Sequence, residues 1–236
     1  MKKVKVKKRI KIKSILKALI IILVIGLGIY YLLNSHIKNI YVKGNDIVSE
    51  QEIIDLAGIS KYPKRKQINY QKMKESILTN KLIHEVKISL SISNKLTIEV
   101  VENKPLFYDD VSKKIILSDG NKVENKYSFV GLPILTKEVD EEVYSRFIKA
   151  FNKVDSSVLN KISEVNYDPS ELDKDRFLLY MNDQLYVYVT LTKIENLNNY
   201  NELVVKLEDK KGILYLDSGN YFQIKENGEK EEVTTE

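Results

Sequence analysis

The first 33 residues constrain this chain most, because a basic segment runs directly into an uncharged, apolar one. Residues 1–13 hold eight lysine and arginine residues and no acidic residue, and residues 18–33 follow with sixteen positions that carry no charge. As a helix, this stretch would be about 24 Å long at about 1.5 Å per residue, and snorkelling of Lys17 would add another turn. We therefore predict a membrane-spanning helix with Tyr30 and Tyr31 in an interfacial aromatic belt.

The placement of the positive charges predicts the orientation of this helix. We expect residues 1–17 to form a basic cytoplasmic tail on anionic lipid, residues 18–36 to form the transmembrane helix, and residues 37–236 to lie outside the cytoplasm at the plasma membrane. A cleaved signal peptide has the same order of segments, but Asn34, Ser35 and His36 offer no A-x-A-like cleavage site, which favours an uncleaved anchor. The basic residues of the tail are Lys2, Lys3, Lys5, Lys7, Lys8, Arg9, Lys11 and Lys13.

The charge balance differs between the tail and the rest of the chain. The formal net charge is +5, yet nine of the 38 basic residues lie at or before Lys17. The remainder holds 29 basic against 33 acidic residues, a net charge of −4, so its composition does not favour nucleic-acid binding. The chain contains no cysteine, so neither disulfides nor a thioether-linked lipid anchor contributes, and a hydrophobic core must hold the fold together.

The segment after the span begins with a strand and a helix. Ile40 and Val42 alternate with polar residues up to a Gly-Asn turn, which predicts a short strand. Ser49 and Glu52 have the spacing of a capping box, so a helix is expected to begin there. Gly58 is the residue type favoured just past a helix end.

A second helix and a hairpin complete this first module. Asn69 can cap a helix with an apolar face over residues 70–78, and the period of the pattern then changes to two. Residues 86–92 and 96–100 alternate between apolar and polar side chains about a Ser-Asn-Lys turn, which predicts a hairpin with one buried face. The order is β-α-α-β-β.

A second module is predicted after Pro105, because proline cannot donate a hydrogen bond to a strand ladder. We assign residues 37–104 to the first domain, residues 105–224 to the second and residues 225–236 to a disordered polar tail. The last two strands are expected at residues 213–217 and 221–224.

The second module is expected to be rich in strands, with two or three helices. Asp119-Gly120 and Asn182-Asp183 are hairpin turn signals. Thr136 is predicted to cap a helix that includes Phe147, and Thr192 begins another capping-box pattern. The fold class is therefore predicted to be α+β.

The chain lacks the usual residue sets for catalysis and metal binding, so we predict no enzymatic activity, no cofactor and no metal. The two histidines, His36 after the span and His84 at a helix-to-strand junction, are not expected to meet in one site. The sequence also has no glycine-rich phosphate loop. A membrane-anchored wall hydrolase that uses a carboxylate pair remains an alternative, since sequence spacing does not give spatial distance. We interpret one acidic cluster as favourable charge at a helix start: Glu138, Asp140, Glu141 and Glu142.

Several motifs, in this order after a single span, resemble the FtsQ/DivIB family of bacterial cell-division proteins. The sequence I-x-V-x-G-N at residues 40–45 and L-x-I-x-V-x-E-x-x-P at residues 96–105 are similar to the POTRA domain of that family. Ser118-Asp119-Gly120 and the L-P-x-L segment at residues 132–135 resemble the family's second domain. The resemblance implies a POTRA domain followed by a β-rich partner-binding domain.

This resemblance also implies a function. Family members act as non-enzymatic scaffolds of the division machinery at the septum, where the second domain binds the small single-span proteins called FtsB/DivIC, held with FtsL. A terminal strand can accept a partner's strand through main-chain hydrogen bonds, so we expect this binding at the end of the second domain. The residues implied as partner-binding are Leu216, Ser218, Tyr221, Phe222 and Ile224.

A basic loop in the first module is a further candidate contact. We favour a solvated loop for Lys61, Lys64, Arg65 and Lys66, and keep contact with lipid headgroups or anionic wall polymer as a hypothesis. A POTRA-bearing transport or chaperone component is another alternative for the whole chain. Such proteins normally carry several repeated modules or a β-barrel, and the sequence pattern indicates neither.

Overall fold

The computed structural model describes residues 12–127, 129–208 and 210–224. The chain divides into two compact units, Met1–Glu102 and Asn103–Glu236, called the first and second unit below. Most of the predicted basic tail and the whole polar tail at 225–236 lie outside the described residues.

A long helix, α1 (Ile12–Asn34), opens the described part of the chain. Its segment Ile15–Asn34 is apolar and long enough to cross a membrane, and no part of it is buried inside the protein. Twenty helical residues extend about 30 Å, which matches the hydrocarbon thickness of a bilayer. The helix begins six residues before the predicted start at residue 18 and ends two residues before the predicted end at residue 36.

The first unit continues with a three-stranded sheet and two helices in the predicted β-α-α-β-β order. Its sheet has the order β1-β3-β2, with β1 parallel and β2 antiparallel to the central strand β3. After α1 the elements are β1 (Asn39–Lys43), α2 (Glu50–Leu56), a 3₁₀ turn (Arg65–Gln67), α3 (Tyr70–Ile77), β2 (Ile83–Leu90) and β3 (Lys95–Glu102).

The predicted helix caps of this unit are confirmed. The Ser49 hydroxyl accepts a hydrogen bond from the backbone N–H of Glu52 at 3.2 Å. The Asn69 side chain accepts one from the backbone N–H of Lys72 at 3.0 Å. Gly58 has a φ of +68°, the left-handed conformation that ends a helix at little cost for glycine.

Glu102, the last residue of β3, explains why the motif has a carboxylate at the end of this strand. Its side chain accepts hydrogen bonds from the backbone N–H groups of Asp46, Ile47 and Val48 at 3.1, 2.8 and 2.8 Å. The end of β3 therefore holds the loop that leads into α2. Charge-assisted bonds of this kind are stronger than those between neutral groups.

The second unit is built on one nine-stranded mixed sheet, so the predicted α+β class is confirmed. The elements are β4 (Pro105–Asp109), β5 (Lys114–Leu117), β6 (Lys122–Val123), β7 (Ile134–Leu135), α4 (Glu141–Phe151), α5 (Ser156–Leu159), β8 (Ile162–Tyr167), β9 (Arg176–Met181), β10 (Tyr186–Thr190), a 3₁₀ segment (Leu191–Asn199), α6 (Tyr200–Lys206), β11 (Gly212–Tyr215) and β12 (Tyr221–Ile224). Their order across the sheet is β12-β11-β10-β9-β8-β7-β4-β5-β6.

Helices cover one face of this sheet and form the core with it. Four phenylalanine rings meet at its centre, where Phe147 of α4 lies 5.1 Å from Phe107, 4.8 Å from Phe151 and 4.6 Å from Phe177 between ring centroids. All four are fully buried. The amphipathic pattern that predicted a helix around Phe147 therefore reflects a real buried face.

The structure corrects two helix starts in this unit. Thr136 does not cap α4, because its backbone N–H donates to the carbonyl of Val165 at 3.1 Å and continues the pairing of β7 with β8. Asp140 is the N-cap residue instead. Thr192 lies inside the 3₁₀ segment, which begins one residue earlier at Leu191, so no capping box forms there.

Asp109 is a buried carboxylate at the end of β4. Its oxygens accept hydrogen bonds from the hydroxyls of Ser112 and Tyr144, at 2.8 and 3.0 Å, and from the N–H of Val111 at 3.0 Å. Burial alone would raise the pKa of Asp109, but these bonds together with the one from the Ser112 N–H outweigh it and lower the pKa below 3.8. Burial beside this carboxylate raises the pKa of Tyr144.

We expect Asp109 to make the second unit acid-sensitive. A carboxyl group with a lowered pKa in the folded state stabilises the fold above its unfolded pKa, and this contribution is lost as the pH falls through the folded value. Urea unfolding should therefore show that Asp109→Asn destabilises the protein at neutral pH and that the difference from wild type shrinks below pH 3.8. The control is Asp110→Asn, which removes a half-exposed neighbouring carboxylate whose partner is the surface residue Lys113. A difference between Asp109→Asn and wild type that did not change with pH would contradict the assignment.

Candidate partner-binding edge

The strand β12 forms one end of the large sheet. Among the described strands it pairs only with β11, in antiparallel register from Tyr215 opposite Tyr221 to Gly212 opposite Ile224. Since each strand alternates its hydrogen-bonding direction, half of the N–H and C=O groups of β12 point away from the sheet. A sheet edge of this kind is a template for an added strand.

The two faces of β12 differ in their surroundings. On the inner face, Phe222 lies opposite Leu214 and packs against the core of the second unit. On the outer face, Tyr221 is 50% exposed and stacks on Tyr215, with ring centroids 4.5 Å apart. An added strand would therefore meet an apolar row on one side and an aromatic row on the other.

The aromatic row extends across three strands. Tyr215 stacks on Tyr188 of β10 at 5.3 Å, and the guanidinium of Arg176 in β9 lies 3.7 Å from the centre of the Tyr188 ring. Burial, with a further effect from Asp168, raises the pKa of Tyr188. We call Arg176, Tyr188, Tyr215 and Tyr221 the tyrosine row. At β9 it ends in the cation–π contact of Arg176 with Tyr188, and at β12 it ends in the half-exposed ring of Tyr221.

The turn that joins β11 to β12 is held in place by contacts to neighbouring elements. The carboxylate of Asp217 accepts a hydrogen bond from Nε of Arg176 at 3.0 Å. The backbone carbonyl of Asp217 accepts one from Nζ of Lys193 at 2.7 Å. The backbone N–H of Leu216 donates to the carbonyl of Tyr188 at 2.8 Å. The position of the edge strand is thus set by β9, β10 and the 3₁₀ segment.

The structure places the five residues implied as partner-binding in different environments. Ser218, Tyr221 and Ile224 have exposed side chains, and the Ser218 hydroxyl donates to Asp217 at 3.0 Å. Phe222 is half-buried against the core. Leu216 requires a correction, because its side chain is 2% exposed and belongs to the core, so it can support the edge but cannot contact a partner directly.

Sequence reasoning missed Arg176, Tyr188, Tyr215 and Gly212 as parts of this edge. A signal for the tyrosines was present, since Tyr186 and Tyr188 alternate with valines and must lie on the face opposite the core. The sequence did not reveal their stacking partners. β10 and β11 pair in parallel, and the 3₁₀ segment and α6 separate them along the chain, so no local pattern indicates this pairing.

Two further groups of charged residues were candidates: the acidic cluster at residues 138–142 and the basic loop at residues 61–66. In the acidic cluster, the Asp140 carboxylate accepts from the Tyr167 hydroxyl at 3.3 Å, and Glu141 and Glu142 form the first turn of α4. The described residues contain no group of three or more His, Asp or Glu side chains placed to hold a metal ion. In the basic loop, Lys61 and Lys66 are exposed, Lys64 is half-buried, and the Arg65 side chain is bonded to Asn94.

Comparison with known proteins identifies relatives over most of the chain. Residues 35–103 match the family model of the FtsQ-type POTRA domain. The cell division protein DivIB of Bacillus subtilis is 32% identical over 80% of this chain and 74% of its own length. DivIB of Listeria monocytogenes is 28% identical over 98% of this chain and 88% of its own length. The solved extracytoplasmic domain of DivIB from Geobacillus stearothermophilus aligns with 45% of this chain at 21% identity, with a TM-score of 0.38.

Proposed function

This chain belongs to the DivIB family of bacterial cell division proteins, and we propose that it is a non-enzymatic, single-span scaffold that captures partner proteins at the β12 edge. The partners we propose are FtsB/DivIC-like and FtsL-like single-span division proteins. In this role α1 spans the plasma membrane with the basic tail in the cytoplasm, and both folded units lie outside it at the division septum.

The observation that carries this proposal is the outer edge of β12, which no other strand of the described residues covers. A partner segment that adds as a strand gains main-chain hydrogen bonds, each worth about 0.5–1.5 kcal/mol net. Side chains of that segment on the inner face would lie beside Phe222 and Ile224, and those on the outer face beside Tyr221. Tyrosine is among the residue types that dominate binding energy at protein interfaces.

The experiment that tests this function removes the side chains of the edge. We expect the double change Tyr221→Ala with Phe222→Ala to weaken binding of a purified DivIC-like partner by about tenfold or more, equivalent to about 1.4 kcal/mol or more. Isothermal titration of the full-length proteins in detergent would measure the affinity. Because Phe222 also packs against the core, Tyr221→Ala alone should be measured beside it, with thermal unfolding of each variant as a check on folding.

The matched control lies on the three-stranded sheet of the first unit, on its edge strand β1 and its central strand β3. Tyr41 in β1 and Val101 in β3 are about half exposed, so Tyr41→Ala with Val101→Ala removes a similar exposed surface from the first unit. This control should bind the partner like wild type. Equal affinity of the wild type and both β12 variants for the partner would disprove the assignment of the edge.

A further inference from the structure

The basic loop of the first unit is hydrogen-bonded to the residues that directly follow α1. The backbone N–H of Arg65 donates to the carbonyl of Ser35 at 2.9 Å, and the N–H of Ile37 donates to the carbonyl of Pro63 at 3.1 Å. Between them, His36 and Lys64 form an antiparallel bridge. Since α1 ends at Asn34, these bonds hold the loop within a few residues of the end of the span.

The tip of the β2–β3 hairpin is held at the same place. Asn94, buried and with a φ of +62°, donates from Nδ2 to the Ser35 hydroxyl at 2.9 Å, and its carbonyl accepts from the N–H of Lys38 at 2.9 Å. The Nε of Arg65 donates to Oδ1 of Asn94 at 3.2 Å. Asn94 thus connects the hairpin tip, the basic loop and the end of α1.

The surface formed by the loop 61–66 and the tip 91–94 has the composition of a membrane interface. Lys61 and Lys66 are exposed, and within the described part of the chain no carboxylate forms an ion pair with the four basic residues of the loop. At the tip, Ile92 is 82% exposed, which is costly in water. Tyr62 in the loop is also exposed. Lysines, an aromatic residue and an exposed aliphatic side chain are the combination found on surfaces that lie in the headgroup region.

We propose that this surface binds anionic phospholipid, with the lysines on headgroup phosphates and Ile92 in the headgroup layer. The proposal rests on the membrane insertion of α1 set out above. Phosphodiesters also occur in wall polymers, but two features favour lipid: the surface is bonded to residue 35, at the end of the span, and a soluble polyanion offers nothing for Ile92 to bury against. Binding of this kind would fix the orientation of the first unit on the membrane surface.

The absence of cysteine makes a direct measurement possible. A single cysteine can replace Ser93 at the tip or, as a matched site, Val101 near the far end of β3, about 20 Å along the same sheet. Each labelled full-length protein is placed in phosphatidylcholine nanodiscs, with and without phosphatidylglycerol, that contain a headgroup nitroxide lipid. We expect quenching of the dye to be several-fold stronger at residue 93 than at residue 101, and to increase with phosphatidylglycerol.

Charge variants separate this surface from general attraction to the disc. The triple change Lys61→Gln, Lys64→Gln and Lys66→Gln should abolish the response to phosphatidylglycerol, while Arg65 is kept because it holds Asn94. The control triple Lys43→Gln, Lys74→Gln and Lys87→Gln removes the same charge elsewhere on the first unit and should leave the response unchanged.

The possible negative results are distinguishable. Co-elution with the discs but equal quenching at residues 93 and 101 would overturn the lipid surface alone. Failure to co-elute would contradict the membrane insertion of α1 and this surface with it. Binding of soluble poly(glycerol phosphate) that depends on the loop lysines, with quenching independent of lipid composition, would assign the surface to a wall polymer and overturn the proposal.

Discussion

Replacing Phe147 by alanine is expected to lower the free energy of unfolding of the second unit by about 3–5 kcal/mol. Phe147 is fully buried and contacts three other phenylalanine rings, so its removal loses apolar burial, leaves a cavity and breaks three aromatic pairs. Because a domain of this size is stable by only about 5–15 kcal/mol, this is a large part of the total. Urea denaturation followed by near-ultraviolet circular dichroism of the tyrosines would measure it.

The control for this change is Val205→Ala on α6, where the side chain is 78% exposed. Substitution there should alter the free energy of unfolding by no more than about 0.5 kcal/mol. If Phe147→Ala cost as little as Val205→Ala, the four-ring cluster could not be the centre of the core that supports the sheet and its edge.

Replacing Gly212 by alanine is expected to weaken partner binding strongly without changing any side chain of β12. A Cβ at this position would collide with the carbonyl oxygen of Gln223 and would lie 2.9 Å from the ring of Phe222. The obstacle is mainly backbone, so β12 itself must move away from β11. We expect the affinity for a DivIC-like partner to fall by about tenfold or more, and amide exchange across residues 221–224 to accelerate.

Gly219 provides a matched glycine control in the adjoining turn. A Cβ there meets its nearest neighbour, Cδ1 of Tyr221, at 3.5 Å, which is an ordinary contact. Gly219→Ala should therefore bind the partner and exchange its amides like wild type. Wild-type partner affinity in Gly212→Ala would mean that the β12 edge, as placed by β11, does not carry the binding.

Local signals in the sequence predicted those parts of the fold that neighbouring residues decide. The Ser49 and Asn69 caps and the left-handed Gly58 all depend on contacts within a few residues. The alternation of residues 96–100 also predicted the buried face of β3, since side chains of a strand alternate between its two faces. These features are therefore visible in an isolated stretch of chain.

Local sequence signals gave wrong or incomplete predictions where a segment distant along the chain supplies the contact that decides a residue's role. Thr136 had the right chemistry for a helix cap, but its backbone N–H is bonded to Val165 of β8, next to the pairing of β7 with β8. Leu216 lies beside exposed turn residues in sequence, yet its backbone bond to Tyr188 and the packing of its side chain bury it. Arg65 appeared to be one of four equivalent basic residues, while in the fold its side chain is bonded to Asn94.

By itself, the sequence determined the apolar span and the resemblance to a division-protein family, and it predicted a division into two modules, because charge, hydrophobic period and turn residues are properties of short stretches. Only the tertiary structure decided that β12 is an edge, that the tyrosine row leads to it, and that a basic loop and a hairpin tip meet at the end of α1. The physical reason is that parallel pairing and long-range hydrogen bonds join segments whose separation along the chain leaves no periodic trace.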